Sequence, residues 1–323
     1  METPSIELIK RQFFQMVPIR LFNWGIGDSK ELSSFYAKPE VQDEFYEKII
    51  NDAIFTKFPC SPNYTLNFFK AYIKILESQQ ENEISENILE YYLQLMMETK
   101  RVSGPPTEAC FKTYYLDENC NSWITIKEDQ RLISQGTTGL RTWEASLNIA
   151  EYFKSHPETI QNKSVLELGS GVGFLGLYCS HAGAKQVIMT DYSEHVLTGL
   201  ENNIRLNCQQ CPNASSSRLS WEDLEESEVA NHQFDLVIGT DVTYDAAIIP
   251  VLVRVFKHFL VRGSEVILAA TIRNQQTFDQ LGISTDEEGI KVENLPLCQE
   301  GQFFYREEIA QVVILKLSLE ASQ

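Results

Sequence analysis

A short apolar run, Val165-Leu166-Glu167-Leu168, breaks into Gly169-Ser170-Gly171-Val172-Gly173 and passes at once into the helical stretch Phe174–His181. This junction constrains the fold more than any other part of the chain. A strand that turns through glycines into a helix is the entry to a parallel α/β unit, because parallel neighbours need a helical crossover. Glycines at the turn permit positive φ and let the backbone approach a ligand, while the helix behind them favours negative charge at its start. A dinucleotide fold asks for G-x-G-x-x-G, but Phe174 stands where the third glycine would be.

From residue 163 onward strands and helices alternate. The expected strands are Ser164–Leu168, Gln186–Thr190, Ser217–Trp221, Phe234–Gly239, Glu265–Ala270 and a late Ala310–Leu317. Ser193–Asn207 and Ala247–Leu260 read as helices between them. That order predicts a mostly parallel sheet covered by helices on both faces.

The first hundred residues have a different period. Ile6, Ile9, Phe13 and Met16 form one helical stripe behind Ser5 as N-cap; Val41, Phe45, Ile49 and Ala53 form a second. Leu66, Phe69, Ile73 and Leu76 form a third, and Ile88, Tyr91, Tyr92 and Leu95 a fourth. These predict a helical N-terminal domain over residues 1–105, serving as structure or as a recognition surface. Ser103-Gly104-Pro105-Pro106 breaks the pattern and sets the expected boundary, with a catalytic-type domain over 106–323. Phe111–Leu116 and Trp123–Ile126 then read as a hairpin, and residues 142–154 as a helix capped by Thr142.

Composition narrows the class. The net charge is −18, with most of the excess beyond residue 105. Such a surface repels phosphate backbones, which disfavours nucleic-acid binding and suits a basic partner. No apolar run reaches membrane-spanning length, and the first residues lack a signal-peptide core, so a cytoplasmic location and no membrane partner are expected. The seven cysteines are scattered, as for reduced thiols, and no histidine shows metal-ligand spacing. A monomer is the favoured state.

The loop reads E-x-G-x-G-x-G from Glu167 to Gly173, which resembles the first motif of class I S-adenosylmethionine-dependent methyltransferases. That resemblance implies a Rossmann-like seven-stranded sheet and S-adenosyl-L-methionine as cofactor. Glu167, Gly169, Ser170, Gly171 and Gly173 are then cofactor-binding candidates. Asp191, closing the next expected strand, either accepts hydrogen bonds from the ribose hydroxyls or caps the following helix. Trp221, at the expected end of the third strand, either flanks the adenine or fills the core.

Two further segments are more specific. Thr240-Asp241-Val242-Thr243-Tyr244 carries the Asp-x-x-Tyr ending shared by seven-strand protein-lysine methyltransferases, and Ser134–Ala145 matches a segment whose tryptophan, here Trp143, touches the cofactor in that family. Together with the glycine loop, they resemble the eukaryotic elongation factor 2 lysine methyltransferases. The resemblance implies a protein substrate, with elongation factor 2 suspected. Thr240 joins the cofactor candidates, and Asp241 and Tyr244 become the catalytic ones.

The chemistry suits these residues. Transfer from a sulfonium is an in-line displacement, so the protein's task is to position two reactants. The attacking lysine must be neutral, whereas its free pKa lies near 10.4. Desolvation lowers that value, but an ionised Asp241 alone would raise it, so something must offset the carboxylate. Tyr244 walls the lysine channel, faces the sulfonium, or packs in the core. A methyltransferase for nucleic acid or small molecules, and a binding protein that kept the fold, remain the alternatives.

Overall fold

The computed structural model describes residues 3–25, 27–78, 83–101, 110–129, 139–297, 303–307 and 310–320. The chain divides into two compact units, residues 1–130 and 131–323. This division falls beyond the boundary expected at residue 105. The breaker Ser103–Pro106 itself lies outside the described residues.

The first unit opens with α1 (Ile6–Phe14), whose Ser5 Oγ accepts the Leu8 amide at 3.1 Å as an N-cap. α2 (Ser29–Tyr36) starts on a full capping box between Asp28 and Glu31. α3 (Pro39–Phe45) runs into a π-helical turn at Tyr46–Ile50. Asp52 then caps a new helix, α4 (Ala53–Lys57), by accepting the Ile54 amide at 2.7 Å. This restart turns Ala53 outward, so the second expected stripe ends at Ile49.

α5 (Pro62–Leu76) and α6 (Glu86–Arg101) complete the helices. Aromatic rings fill the space between them: Phe45 stacks on Tyr72 at 4.0 Å and Phe13 meets Phe68 at 4.5 Å. The hairpin β1 (Cys110–Tyr115) and β2 (Trp123–Glu128) pairs Thr113 with Thr125 and turns on Asp117. Tyr115 meets Phe14 of α1 edge-on at 5.5 Å, and Cys110 Sγ lies 3.7 Å from Met16 Sδ. These contacts place the hairpin with the N-terminal helices.

The second unit contains α7 (Glu144–Ser155), β3 (Ser164–Leu168), α8 (Phe174–His181), β4 (Gln186–Asp191), α9 (Glu194–Leu206) and β5 (Ala214–Arg218). There follow β6 (Leu236–Thr240), α10 (Ile249–Leu260), β7 (Glu265–Thr271), α11 (Gln275–Glu287), β8 (Ile290–Leu295) and β9 (Val312–Leu319). The sheet has seven strands in the order β5-β4-β3-β6-β7-β9-β8, with β9 antiparallel to both neighbours and the rest of the ladder parallel. The expected α/β architecture is what the chain forms.

The central strands β3, β6 and β7 are buried along almost their whole length, as strands covered on both faces must be. From β3 the chain winds outward through β4 to β5, then returns to lay β6 on the other side of β3. That reversal opens a crevice beyond the carboxyl ends of β3 and β6, where open α/β sheets bind ligands. The register sets Leu168 level with Thr190 on one side and Gly239 on the other. Glu167, Asp191 and Asp241 thus reach the same end of the sheet. Among the described residues, no helix is long and apolar enough to cross a membrane.

Candidate active site

Past Leu168 the chain turns through Gly169, Gly171 and Gly173 at φ 64°, 53° and 90°. Side chains rarely adopt these angles. At Gly171 space is restricted as well: an added Cβ would lie 2.9 Å from the Gly139 carbonyl oxygen, so the loop and the segment entering α7 touch. Ser170 ties the turn to β4, donating its amide to the Thr190 carbonyl at 2.8 Å and accepting the Thr190 amide on Oγ at 3.1 Å. Gly173 has another duty. It opens α8, and a Cβ there would come within 2.3 Å of Leu200 Cδ1.

Two carboxyl groups stand at this loop. Asp191 accepts the Gly171 amide at 3.3 Å and the Ser193 amide at 3.1 Å. Burial raises its pKa, and these backbone donors pull it partly back. Ser193, not Asp191, supplies the side-chain N-cap of α9. Glu167 is only 1% exposed, and burial, helped by the nearby charge of Asp191, pushes its pKa up to about 8 against hydrogen bonds from Ser170 and Gly176. Its Oε2 has no hydrogen-bond partner.

β6 ends in Thr240, and Asp241 follows at φ 52°, an unusual angle for a residue with a side chain. Its Oδ1 accepts the Thr271 amide at 2.8 Å; its Oδ2 accepts the Thr271 hydroxyl at 3.1 Å and Arg273 Nη2 at 3.0 Å. The guanidinium of Arg273 also lies over the Trp143 ring, 4.8 Å from its centroid. Trp143 is the N-cap residue of α7, one position beyond the expected Thr142.

A cavity of about 500 Å³ joins these groups, and a nucleoside-sized ligand fits that volume. Of the candidates named from the sequence, Trp143, Glu167, Gly169, Ser170, Gly171, Asp191, Trp221, Thr240, Asp241 and Tyr244 all line it. Gly173 does not. Trp221 lies beyond the end of β5 rather than within it, close to Gly169 on one side and the hydrophobic core on the other. Tyr244 is 61% exposed at the cavity wall, so core packing does not describe it.

A family model described as lysine methyltransferase matches residues 119–282. The protein-lysine N-methyltransferase EFM3 of Chaetomium thermophilum is 31% identical over 82% of this chain and 86% of its own length. The chain belongs to the lysine methyltransferase family. The human protein-lysine N-methyltransferase EEF2KMT is similar at 28% identity, across 97% of this chain and 96% of that protein. EFM3 of Saccharomyces cerevisiae is similar at 30% identity over 69% of this chain and 70% of its own.

This lysine methyltransferase uses S-adenosylmethionine as methyl donor and a protein as substrate. Its residues suit that cofactor: Gly169 and Gly171 present bare backbone to the cavity, and Glu167, which lines it too, keeps a buried oxygen without a hydrogen-bond partner. Sequence reading missed several groups of this candidate site. Arg141 and Tyr192 line the cavity, and Thr271 and Arg273 hold Asp241 from the adjacent strand end. Arg141 lies in the Ser134–Ala145 segment, two residues before Trp143, where its sequence carries no signal of a role. Residues 134–138 of that segment lie outside the described residues.

Proposed function

We propose that this lysine methyltransferase modifies a lysine of eukaryotic elongation factor 2. The near end-to-end match to the human relative named EEF2KMT, N-terminal unit included, is the observation that carries the substrate. The acidic excess of the chain supports a basic protein segment as the feature recognised. We assign the N-terminal unit to holding the substrate protein, since the cavity wall is drawn from residues 139–248.

In this reading the cofactor, when bound, supplies an electrophilic methyl group, and the chain's own residues position both reactants. Asp191 accepts hydrogen bonds from the ribose hydroxyls, and Trp221 flanks the adenine. Glu167, with Gly169, Ser170, Gly171 and Thr240, holds the amino-acid end. Gly173 serves them by closing the loop onto α8 rather than by contact.

Asp241 holds the attacking amine. A carboxylate offers about four acceptor sites. Three are taken, one on Oδ1 and two on Oδ2, which leaves one on Oδ1 for the lysine. Arg273 also resolves the difficulty an ionised Asp241 poses. Its positive charge offsets the carboxylate, so the amine is oriented without being held strongly as ammonium. The proton leaves to solvent, and Tyr244 screens the mouth of the channel.

The experiment is transfer of labelled methyl groups into a cell extract, followed by identification of the labelled protein. Elongation factor 2 is the expected product. Labelling of a different protein would replace the substrate and leave the enzyme class standing.

A further inference from the structure

The cavity wall is acidic: Glu167, Asp191, Glu222, Asp241 and Asp245 all contribute to it, and Arg141 is the one lysine or arginine among its described lining residues. An arginine in such company ordinarily closes on a carboxylate. Asp241 takes Arg273 instead. Arg141 makes no hydrogen bond or ion pair with any described residue, and its Nε is buried without a partner. Its guanidinium rests against the Trp143 ring, Cζ 5.1 Å from the centroid.

A buried N–H left unmade costs about 1–3 kcal/mol, and more on a charged group. A guanidinium held by an aromatic ring, with its Nε–H buried and unmatched, is therefore set to receive an anion. Its place in the fold says which one. Gly139, two residues earlier, lies against Gly171 of the glycine loop, so the segment carrying Arg141 borders the turn where the amino-acid end of the cofactor is held. That end is a zwitterion. Its carboxylate enters a wall of five acidic side chains and needs a cation to be accepted there.

We infer that Arg141 binds the α-carboxylate of S-adenosylmethionine, opposite in charge to Glu167, so that the site grips both charges of the amino-acid end. This rests on the cofactor assignment above. The planar fork of arginine matches a carboxylate bidentately, and lysine in its place provides the charge without the fork.

Calorimetric titration of the full chain tests this with two ligands. S-adenosylhomocysteine carries the amino-acid end; 5′-methylthioadenosine keeps the nucleoside and lacks that end entirely. Arg141→Gln should weaken S-adenosylhomocysteine roughly 10- to 100-fold, the scale of losing hydrogen bonds to a charged group, and leave methylthioadenosine within about twofold. Arg141→Lys should recover part of the loss. Equal weakening of both ligands would reduce Arg141 to a support for Trp143, and an unchanged S-adenosylhomocysteine affinity would also overturn the inference. Wild-type protein that bound neither ligand would remove the cofactor assignment itself, and this contact with it.

Discussion

Arg273 Nη2 lies 3.0 Å from Asp241 Oδ2, joining the residues that follow β7 and β6 at the same end of the sheet. Arg273 and the Thr271 hydroxyl hold Oδ2, and the Thr271 amide holds Oδ1. Asp241→Asn should keep cofactor affinity within about threefold and slow methyl transfer by roughly 100-fold or more, the range for a lost positioning group. Arg273→Gln should act differently. Removing a positive charge beside the bound amine raises the amine's pKa, so the rise of rate with pH should move to higher pH. Rate–pH profiles of the two variants check both statements, and near wild-type profiles would take the pair out of the chemistry.

Asp191 should matter for binding rather than for the transfer step. Asp191→Ala should weaken S-adenosylmethionine by about 1.5–3 kcal/mol, the scale of hydrogen bonds to a charged group. Calorimetry reads this directly; an unchanged affinity would leave Asp191 as a tie for the Gly171 and Ser193 amides only.

Glu167 makes stability depend on pH in an uncommon direction. Its folded pKa of about 8 lies above the ordinary 4.5, so between those values the folded state holds the proton more tightly than the unfolded one. Stability therefore falls as pH rises through that window, by an amount on the order of a few kcal/mol, and levels off above pH 8. Glu167→Gln should flatten the fall when urea unfolding of the free protein is followed from pH 5 to 9. Cofactor binding below pH 8 should release a proton, seen as a binding enthalpy that depends on the buffer.

The glycines separate by what surrounds them. Gly173→Ala meets Leu200 at 2.3 Å and a φ of +90°, and should lower stability by about 1–3 kcal/mol. Gly199, inside α9 with nothing within 4 Å of an added Cβ, should gain about 0.5–1 kcal/mol as Ala. Thermal unfolding of the two variants should move in opposite directions.

The parts legible in the sequence were those with a local physical signature. β3, its glycine turn and α8 lay where expected, because a strand buried on both faces is a continuous apolar run and the turn needs glycine. The sheet edges were not legible. β5 is Ala-Ser-Ser-Ser-Arg and was placed three residues late, at the apolar Leu219 and Trp221 that follow it. β8 interleaves Lys291, Glu293 and Asn294 with its apolar residues, as a solvated edge strand does, and was missed. The division at residue 130 was not legible for another reason: Gly104-Pro105 marks where a helical pattern stops, whereas Tyr115 of the hairpin beyond it packs on Phe14. Arg273 was invisible because its meaning depends on β6 and β7 lying side by side, which no local pattern states.

On the proposed function, Asp241 orients a lysine of elongation factor 2 for methylation. The most direct test is to incubate the purified factor with S-adenosylmethionine and either the wild-type chain or Asp241→Asn, then locate added methyl groups by peptide mass spectrometry. Methyl groups are expected on a defined lysine with the wild-type chain, and a rate lower by roughly 100-fold with the variant at matched cofactor saturation. Equal methylation by both proteins would contradict the role of Asp241, and an unmodified factor alongside an enzyme active on another protein would contradict the substrate.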